Sequence, residues 1–144
     1  MKHRLRAVVD TNLFISGIFG KGSLSSKLQY LWINQEFELI TSIKIMKEVS
    51  RVLRYPRIQQ RFHPKDETLK RFFRLVFRKA VITKDTYKTD KIIDDQSDNK
   101  FLACALEGKA DYIVSRDPHL RNLKQFHGIN IVDASTFVKK VTGK

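Results

Sequence analysis

The stretch Ala7-Val8-Val9-Asp10-Thr11-Asn12 decides the fold. A short apolar, β-branched run favours an extended strand. It breaks off at a carboxylate followed by two small polar residues, the composition of a strand end where the chain turns into a helix. The pattern returns in Tyr112-Ile113-Val114-Ser115-Arg116-Asp117-Pro118, where Pro118 suits a first helical position. Outward from these two points, further strand-like runs appear at Leu5–Val9, Phe37–Ile40, Ala80–Thr83, Tyr112–Ser115 and Ile129–Val132.

Segments with helical spacing lie between them. Ser23 or Ser25 can cap a helix carrying Leu24, Leu28, Leu31 and Trp32, and Ser42 another carrying Ile45, Val49, Val52 and Leu53, ended by Pro56. A short helix is expected over Arg57–Phe62. Asp66 is expected to cap the next, with Leu69, Phe72, Phe73, Val76 and Ala80 on one face. A helix from Asp98 to Glu107 should stop at Gly108 through a left-handed cap. A short helix after Pro118 and a last one over Ala134–Val141 complete the series, and Lys84–Ser97 is the most loop-like stretch. Strands alternating with helices predict a parallel sheet covered on both faces, because a parallel crossover needs a helix-length connection. The expectation is one three-layer α/β domain over residues 1–144.

Composition narrows the function. The chain has 28 Lys+Arg against 15 Asp+Glu, a formal net charge of +13, and a pI near 10.0. That excess points to a polyanionic partner, nucleic acid first, an acidic protein second, a membrane surface last. With 42% hydrophobic residues and few Gly and Pro, disorder and low complexity are excluded. The single cysteine, Cys104, excludes an intramolecular disulfide framework and a Cys-rich zinc site, and packing is its expected role. The longest apolar run, Phe101–Leu106, falls far short of the roughly 20 residues of a membrane span. The basic N-terminus is interrupted at Asp10 and Asn12, unlike a signal peptide. A soluble, cytoplasmic protein is expected.

In so basic a chain the placement of each carboxylate is informative. Asp10 and Asp117 follow strands, where sites gather in open α/β sheets, although either residue can simply cap a helix. Glu48 sits at the edge of an apolar helix face beside Ile45 and Val52; it is either turned toward a site or solvated and paired with Lys44 and Arg51. Asp98 heads the apolar stripe of Phe101, Leu102 and Ala105, as a cap or as a ligand. Asp94 and Asp95 crowd more negative charge into the same corner. Brought to one end of a sheet, such acids repel one another unless a cation intervenes. Oxygen-only, carboxylate-rich sites suit Mg²⁺ or Mn²⁺.

These residues resemble the PIN-domain family of metal-dependent ribonucleases. Val8-Val9-Asp10-Thr11-Asn12 with Ser16-Gly17 resembles its opening motif, and Glu48 in Lys47-Glu48-Val49-Ser50-Arg51-Val52-Leu53 the second acidic position. Asp95-Gln96-Ser97-Asp98-Asn99-Lys100-Phe101-Leu102 resembles the third, and Ala110-Asp111-Tyr112-Ile113-Val114-Ser115-Arg116-Asp117 the fourth. The likeness covers nearly the whole chain and is strongest to toxin components of toxin–antitoxin systems, the VapC-type toxins. It implies a five-stranded parallel sheet of order 3-2-1-4-5 and Mg²⁺- or Mn²⁺-dependent endonucleolysis of RNA. It also implies frequent homodimers and control by an antitoxin. Carried over, Asp10, Glu48, Asp98 and Asp117 are the metal-binding and catalytic acids, with Asp95 a further candidate, and Asn12 and Ser115 support them. Arg116 either contacts phosphate or pairs with Asp117.

The basic excess has a candidate location. Arg51–Lys79 holds ten Lys+Arg and two Asp+Glu, and Lys70, Arg71, Arg74 and Arg78 share one helix face opposite the apolar stripe. That face is either solvated or an RNA-binding track. Phe77 and Leu75 flank the stripe, as core or as a dimer or antitoxin contact. Two other functions compete with a nuclease. A catalytically silent RNA-binding module would keep the basic surface. A phosphoacceptor receiver domain would need a Lys after the last strand, whereas Lys139 and Lys140 fall inside the terminal helix.

Overall fold

The computed structural model describes residues 4–86 and 98–143. In chain order the elements are β1 (Arg6–Val9), α1 (Thr11–Phe19), α2 (Leu24–Ile33), β2 (Glu38–Ser42), α3 (Ile43–Leu53), α4 (Pro56–Phe62), α5 (Asp66–Lys79), β3 (Val81–Thr83), α6 (Asn99–Glu107), β4 (Tyr112–Val114), α7 (Pro118–Arg121), β5 (Gln125–Phe126), β6 (Ile129–Val132) and α8 (Ala134–Thr142). The sheet runs β3-β2-β1-β4-β6-β5. β1 is its central strand, parallel to β2 on one side and β4 on the other, with Val8 opposite Ile40 and Ile113. Ala7, Val8 and Val9 are all buried. Successive strand side chains point to opposite faces, so both faces of the sheet are covered. No helix among the described residues is long and apolar enough to cross a membrane.

The five parallel strands follow the expected order, but the sheet is mixed. β5 adds a sixth strand, antiparallel to β6 at the edge. His127 and Gly128 join the two with φ of 50° and 81°, the paired positive angles of a tight hairpin turn. A two-residue strand is too short to leave an alternating pattern in the sequence.

Three local expectations are corrected. The turn into a helix after Asp10 carries no extent in the sequence, because Leu13-Phe14-Ile15 is a continuous apolar run and Gly17 interrupts it; α1 in fact runs nine residues. The glycine is there for packing: a Cβ on it would lie 2.8 Å from Gln29 Oε1 and 3.0 Å from the Ser25 carbonyl oxygen on α2. Lys65, not Asp66, occupies the N-cap of α5; Asp66 and Glu67 lie in the first turn, where their charges favour the helix dipole. Gly108 ends α6 with right-handed geometry (φ −86°), and the positive φ falls on Lys109. Gly108 is required for a different reason, since its Cβ would lie 2.3 Å from Ile40 Cγ2 on the sheet. The other anticipated helices are present, with Ser23 and Ser42 as caps of α2 and α3.

Candidate active site

The carboxyl ends of β1 and β4 are neighbours, so each strand-end acid is delivered to the same edge of the sheet. Asp10 continues β1 and caps α1, its Oδ1 accepting the Leu13 N–H at 3.0 Å. Its Oδ2 accepts from Ser115 Oγ at 2.6 Å and from the Arg116 N–H at 3.0 Å, both contributed by the chain leaving β4. Ser115 Oγ in turn accepts the Asp117 N–H at 2.9 Å, tying the two strand ends together. Asp117 caps α7 through the His119 N–H, so its capping role and its position at the sheet end coexist.

Burial pushes the Asp10 carboxyl above its ordinary range. The hydrogen bonds from Ser115, Leu13 and Arg116 oppose that shift, and the charge of Asp117 adds to it. Asp10 is therefore a desolvated carboxylate beside a like charge, a state that a cation would relieve.

Glu48 reaches the same place from α3. Thr11 Oγ1 donates a hydrogen bond to its Oε1, Lys100 Nζ approaches its Oε2 at 2.7 Å, and Arg51 lies at 3.6 Å. The anticipated Arg51 pair is present. Lys100 takes the second place that Lys44 was expected to fill, and neither Thr11 nor Lys100 was singled out from sequence. Spacing gave no signal for Lys100, which lies two residues from Asp98 and so not on the same helix face, while its partner Glu48 is far away in the chain. Asp98 is buried at the N-cap of α6 and makes no capping hydrogen bond with its side chain.

Asp10, Glu48, Asp98 and Asp117 line one cavity of about 190 Å³ with Thr11, Asn12, Lys100 and three apolar residues. Four separate segments of the chain thus bring their acids to one hollow. Asp95 lies outside the described residues. Asn12 lines the cavity but makes no hydrogen bond to the acids among the described residues, whereas Ser115 is buried against Asp10.

The PIN domain family model matches residues 6–119. This chain belongs to the PIN-domain family. A PIN domain this long is 27% identical over 123 residues to the "Uncharacterized protein MJ1680" of Methanocaldococcus jannaschii, covering 85% of the present chain and 77% of that protein. The fold is similar to that in the crystal structure of PAE2754 from Pyrobaculum aerophilum, with a TM-score of 0.63 and 15% identity over 97% of this chain and 91% of that one.

The donor chemistry of this PIN domain fits a hard divalent cation: four carboxylates, the Thr11 hydroxyl and the Asn12 amide oxygen, with the Lys100 ammonium beside them and no His or Cys on the cavity wall. Among the described residues, no three acids, histidines or cysteines converge tightly enough to hold an ion as they stand. The cause is visible in the contacts, since Glu48 is turned to Lys100 and Asp10 is saturated by three donors. Mg²⁺ does not need a closed cage, because it commonly keeps several waters and takes one or two carboxylates directly.

The predicted cations are divided. Lys70, Arg71, Arg74 and Arg78 form an exposed face of α5, opposite the buried Phe72 and Val76, and line neither the acidic cavity nor the groove beside it. Arg116 does not pair with Asp117; its Nη1 donates to Ser16 Oγ at 2.9 Å. With Arg57 and Arg61 of α4 it lines a groove of about 560 Å³ that shares Asn12, Val52 and Asp117 with the acidic cavity. Arg57 and Arg61 stand four residues apart, one helical turn, and that spacing after Pro56 was the overlooked signal. Cys104 is buried against Thr83, and burial pushes its thiol up to about 12, so it remains a neutral packing group.

Proposed function

We propose that this PIN domain is a divalent-metal-dependent endoribonuclease that hydrolyses RNA phosphodiester bonds. The observation that carries the reading is the cavity in which Asp10, Glu48, Asp98 and Asp117 meet at the carboxyl ends of β1 and β4. These four side chains would hold Mg²⁺ or Mn²⁺. Bound there, such an ion supplies a Lewis acid for a phosphate oxygen and lowers the pKa of water. The chain's own residues do the positioning. Ser115 and the Leu13 and Arg116 N–H groups fix both oxygens of Asp10, Thr11 orients Glu48, and the Lys100 ammonium partly neutralises a cavity that must admit a polyanion.

The proposal extends to a cytoplasmic toxin of a toxin–antitoxin pair, acting as a homodimer. The +13 charge suits an acidic antitoxin as well as RNA, and Phe77, 50% exposed on α5, offers an apolar contact, while Leu75 packs on the core. A second reading, a silent RNA-binding module, is favoured by the ammonium of Lys100 already seated on Glu48. Purified protein incubated with single-stranded RNA separates them. Cleavage with Mn²⁺ or Mg²⁺ that stops on chelation, and is lost in Asp98→Asn with RNA binding retained, supports the nuclease. Binding without cleavage under any divalent ion supports the silent module.

A further inference from the structure

Beyond the wall shared with the acidic cavity, the charged groups of the adjoining groove are Arg57, Arg61 and Arg116, with Asp117 at the boundary. Among the described residues none of these arginines forms an ion pair. Each is instead held against a neutral neighbour: Arg61 over the Phe62 ring at 5.0 Å, Arg57 over Tyr55 at 5.8 Å, and Arg116 on Ser16. Such contacts orient a guanidinium and leave most of its donors unused. Three like charges along one groove repel unless an anion lies between them, and the planar fork of arginine matches phosphate.

The groove leads on. Ser16, Arg61, Phe62 and Arg116 also line a hollow of about 580 Å³. Its walls include Leu24, 48% exposed, and Phe19, whose ring stacks on Phe62 with centroids 4.5 Å apart and planes within 9°. Phosphate-binding arginines beside an apolar, aromatic-walled hollow are the parts from which single-strand sites are built.

We propose that this groove holds the backbone of a single-stranded RNA. Arg116, Arg61 and Arg57 bind the phosphates adjoining the one in the acidic cavity, and a neighbouring base enters the hollow walled by Phe19, Phe62 and Leu24. The identity of the ligand rests on the nuclease reading; the groove's charge and shape do not. A base must be unpaired to enter the hollow, so duplex RNA is a poorer ligand. The α5 stripe lies off this path and contributes only long-range attraction.

Binding of a labelled single-stranded RNA of about ten nucleotides to the full-length Asp10→Asn protein tests the proposal without cleavage. Adding Arg57→Ala and Arg61→Ala should weaken binding tenfold or more at about 100 mM salt and reduce the slope of log K against log salt by about 1.4, two phosphates' worth. Both side chains are exposed, so the core is untouched. Replacing Arg71, Arg74 and Arg78 together should cost less. An unchanged affinity and slope in the Arg57/Arg61 variant overturns the proposal. So does a loss confined to polyglutamate, which would make the groove a protein-docking surface, and so does equal affinity for duplex RNA. If the unsubstituted protein fails to cut RNA yet the binding loss appears, the nuclease reading falls and the groove stands. If it cuts and the Arg57/Arg61 variant keeps both Kd and KM, the groove falls alone.

Discussion

Asp10 and Asp133 hold the same place in two copies of one local design. Val8-Val9-Asp10-Thr11 and Ile131-Val132-Asp133-Ala134 each run from a parallel strand into a helix. Both aspartates are extended N-caps, and both accept a backbone N–H three residues on, from Leu13 at 3.0 Å and from Thr136 at 2.8 Å. Their environments are opposite. Asp10 is 3% exposed and burial raises its pKa. The Asp133 side chain is 41% exposed, lies 3.8 Å from Arg121, and is lowered by its hydrogen bonds to Thr136. The cause is position in the sheet: β1 lies between β2 and β4, whereas beyond β6 the described residues place only the two-residue β5. Local sequence makes a cap; the neighbouring strand makes that cap part of a cavity, here by adding Ser115 and the Arg116 N–H to Asp10.

The largest expected effect breaks the comparison at the level of chemistry. Asp10→Asn should reduce Mn²⁺-dependent RNA cleavage by more than about a hundredfold, since on the proposed reading it removes a charge from the cation's donor set rather than a supporting contact. Asp133→Asn should cleave at least as fast as the unsubstituted protein, because the charge it removes lies on the wall of the Phe19–Phe62 hollow, where an anionic strand would pass. Single-turnover rates on one RNA measure both. Similar losses in the two variants would show that burial in the sheet centre carries no functional weight.

A smaller effect is expected one residue removed from the acid. Ser115→Ala deletes the 2.6 Å donor to Asp10 and the acceptor for the Asp117 N–H, while Leu13 and Arg116 still hold Asp10. Metal affinity, read by Mn²⁺ titration, should fall by about ten- to a hundredfold. The counterpart at the other junction, Arg121→Ala, removes one exposed ion pair and should leave metal affinity unchanged and stability within about 0.5 kcal/mol.

How far the sequence reaches follows from the same contrast. Strands and helices with apolar periodicity were readable because burial writes that period directly, and both strand-end acids were readable because the strand's abrupt stop marks them. The convergence of Glu48 and Asp98 is not a consequence of pattern: Glu48 admits a solvated reading and Asp98 a capping one, and the family resemblance, not spacing, chooses between them and a shared site. Lys100 and Thr11 escaped because their partner, Glu48, is distant in sequence. The α5 stripe has the higher charge density, yet Arg57 and Arg61, two cations on a two-turn helix, line the groove beside the acids. Charge along a sequence says how much attraction a chain has; only the fold says which cations share a wall with the site.

The finest difference between the two junctions is the sign of their pH dependence, measured by chemical denaturation in chelator. Asp10 has a raised folded pKa, so its charge destabilises the fold. That cost is absent below the ordinary value of 3.8 and grows as pH rises through the folded pKa. The stability of Asp10→Asn relative to the unsubstituted protein should therefore climb with pH from the acid range toward neutrality. Asp133 is lowered, so its contribution is present above 3.8 and disappears as pH falls through its folded pKa. Asp133→Asn should lose only a few tenths of a kcal/mol at neutral pH, because asparagine is itself a good cap and an exposed charge is screened. That deficit should vanish in acid. Opposite slopes for two aspartates with one cap geometry would establish that burial, not capping, sets their charge. Parallel slopes would place Asp10 in contact with solvent and remove the electrostatic reason for a cation beside it.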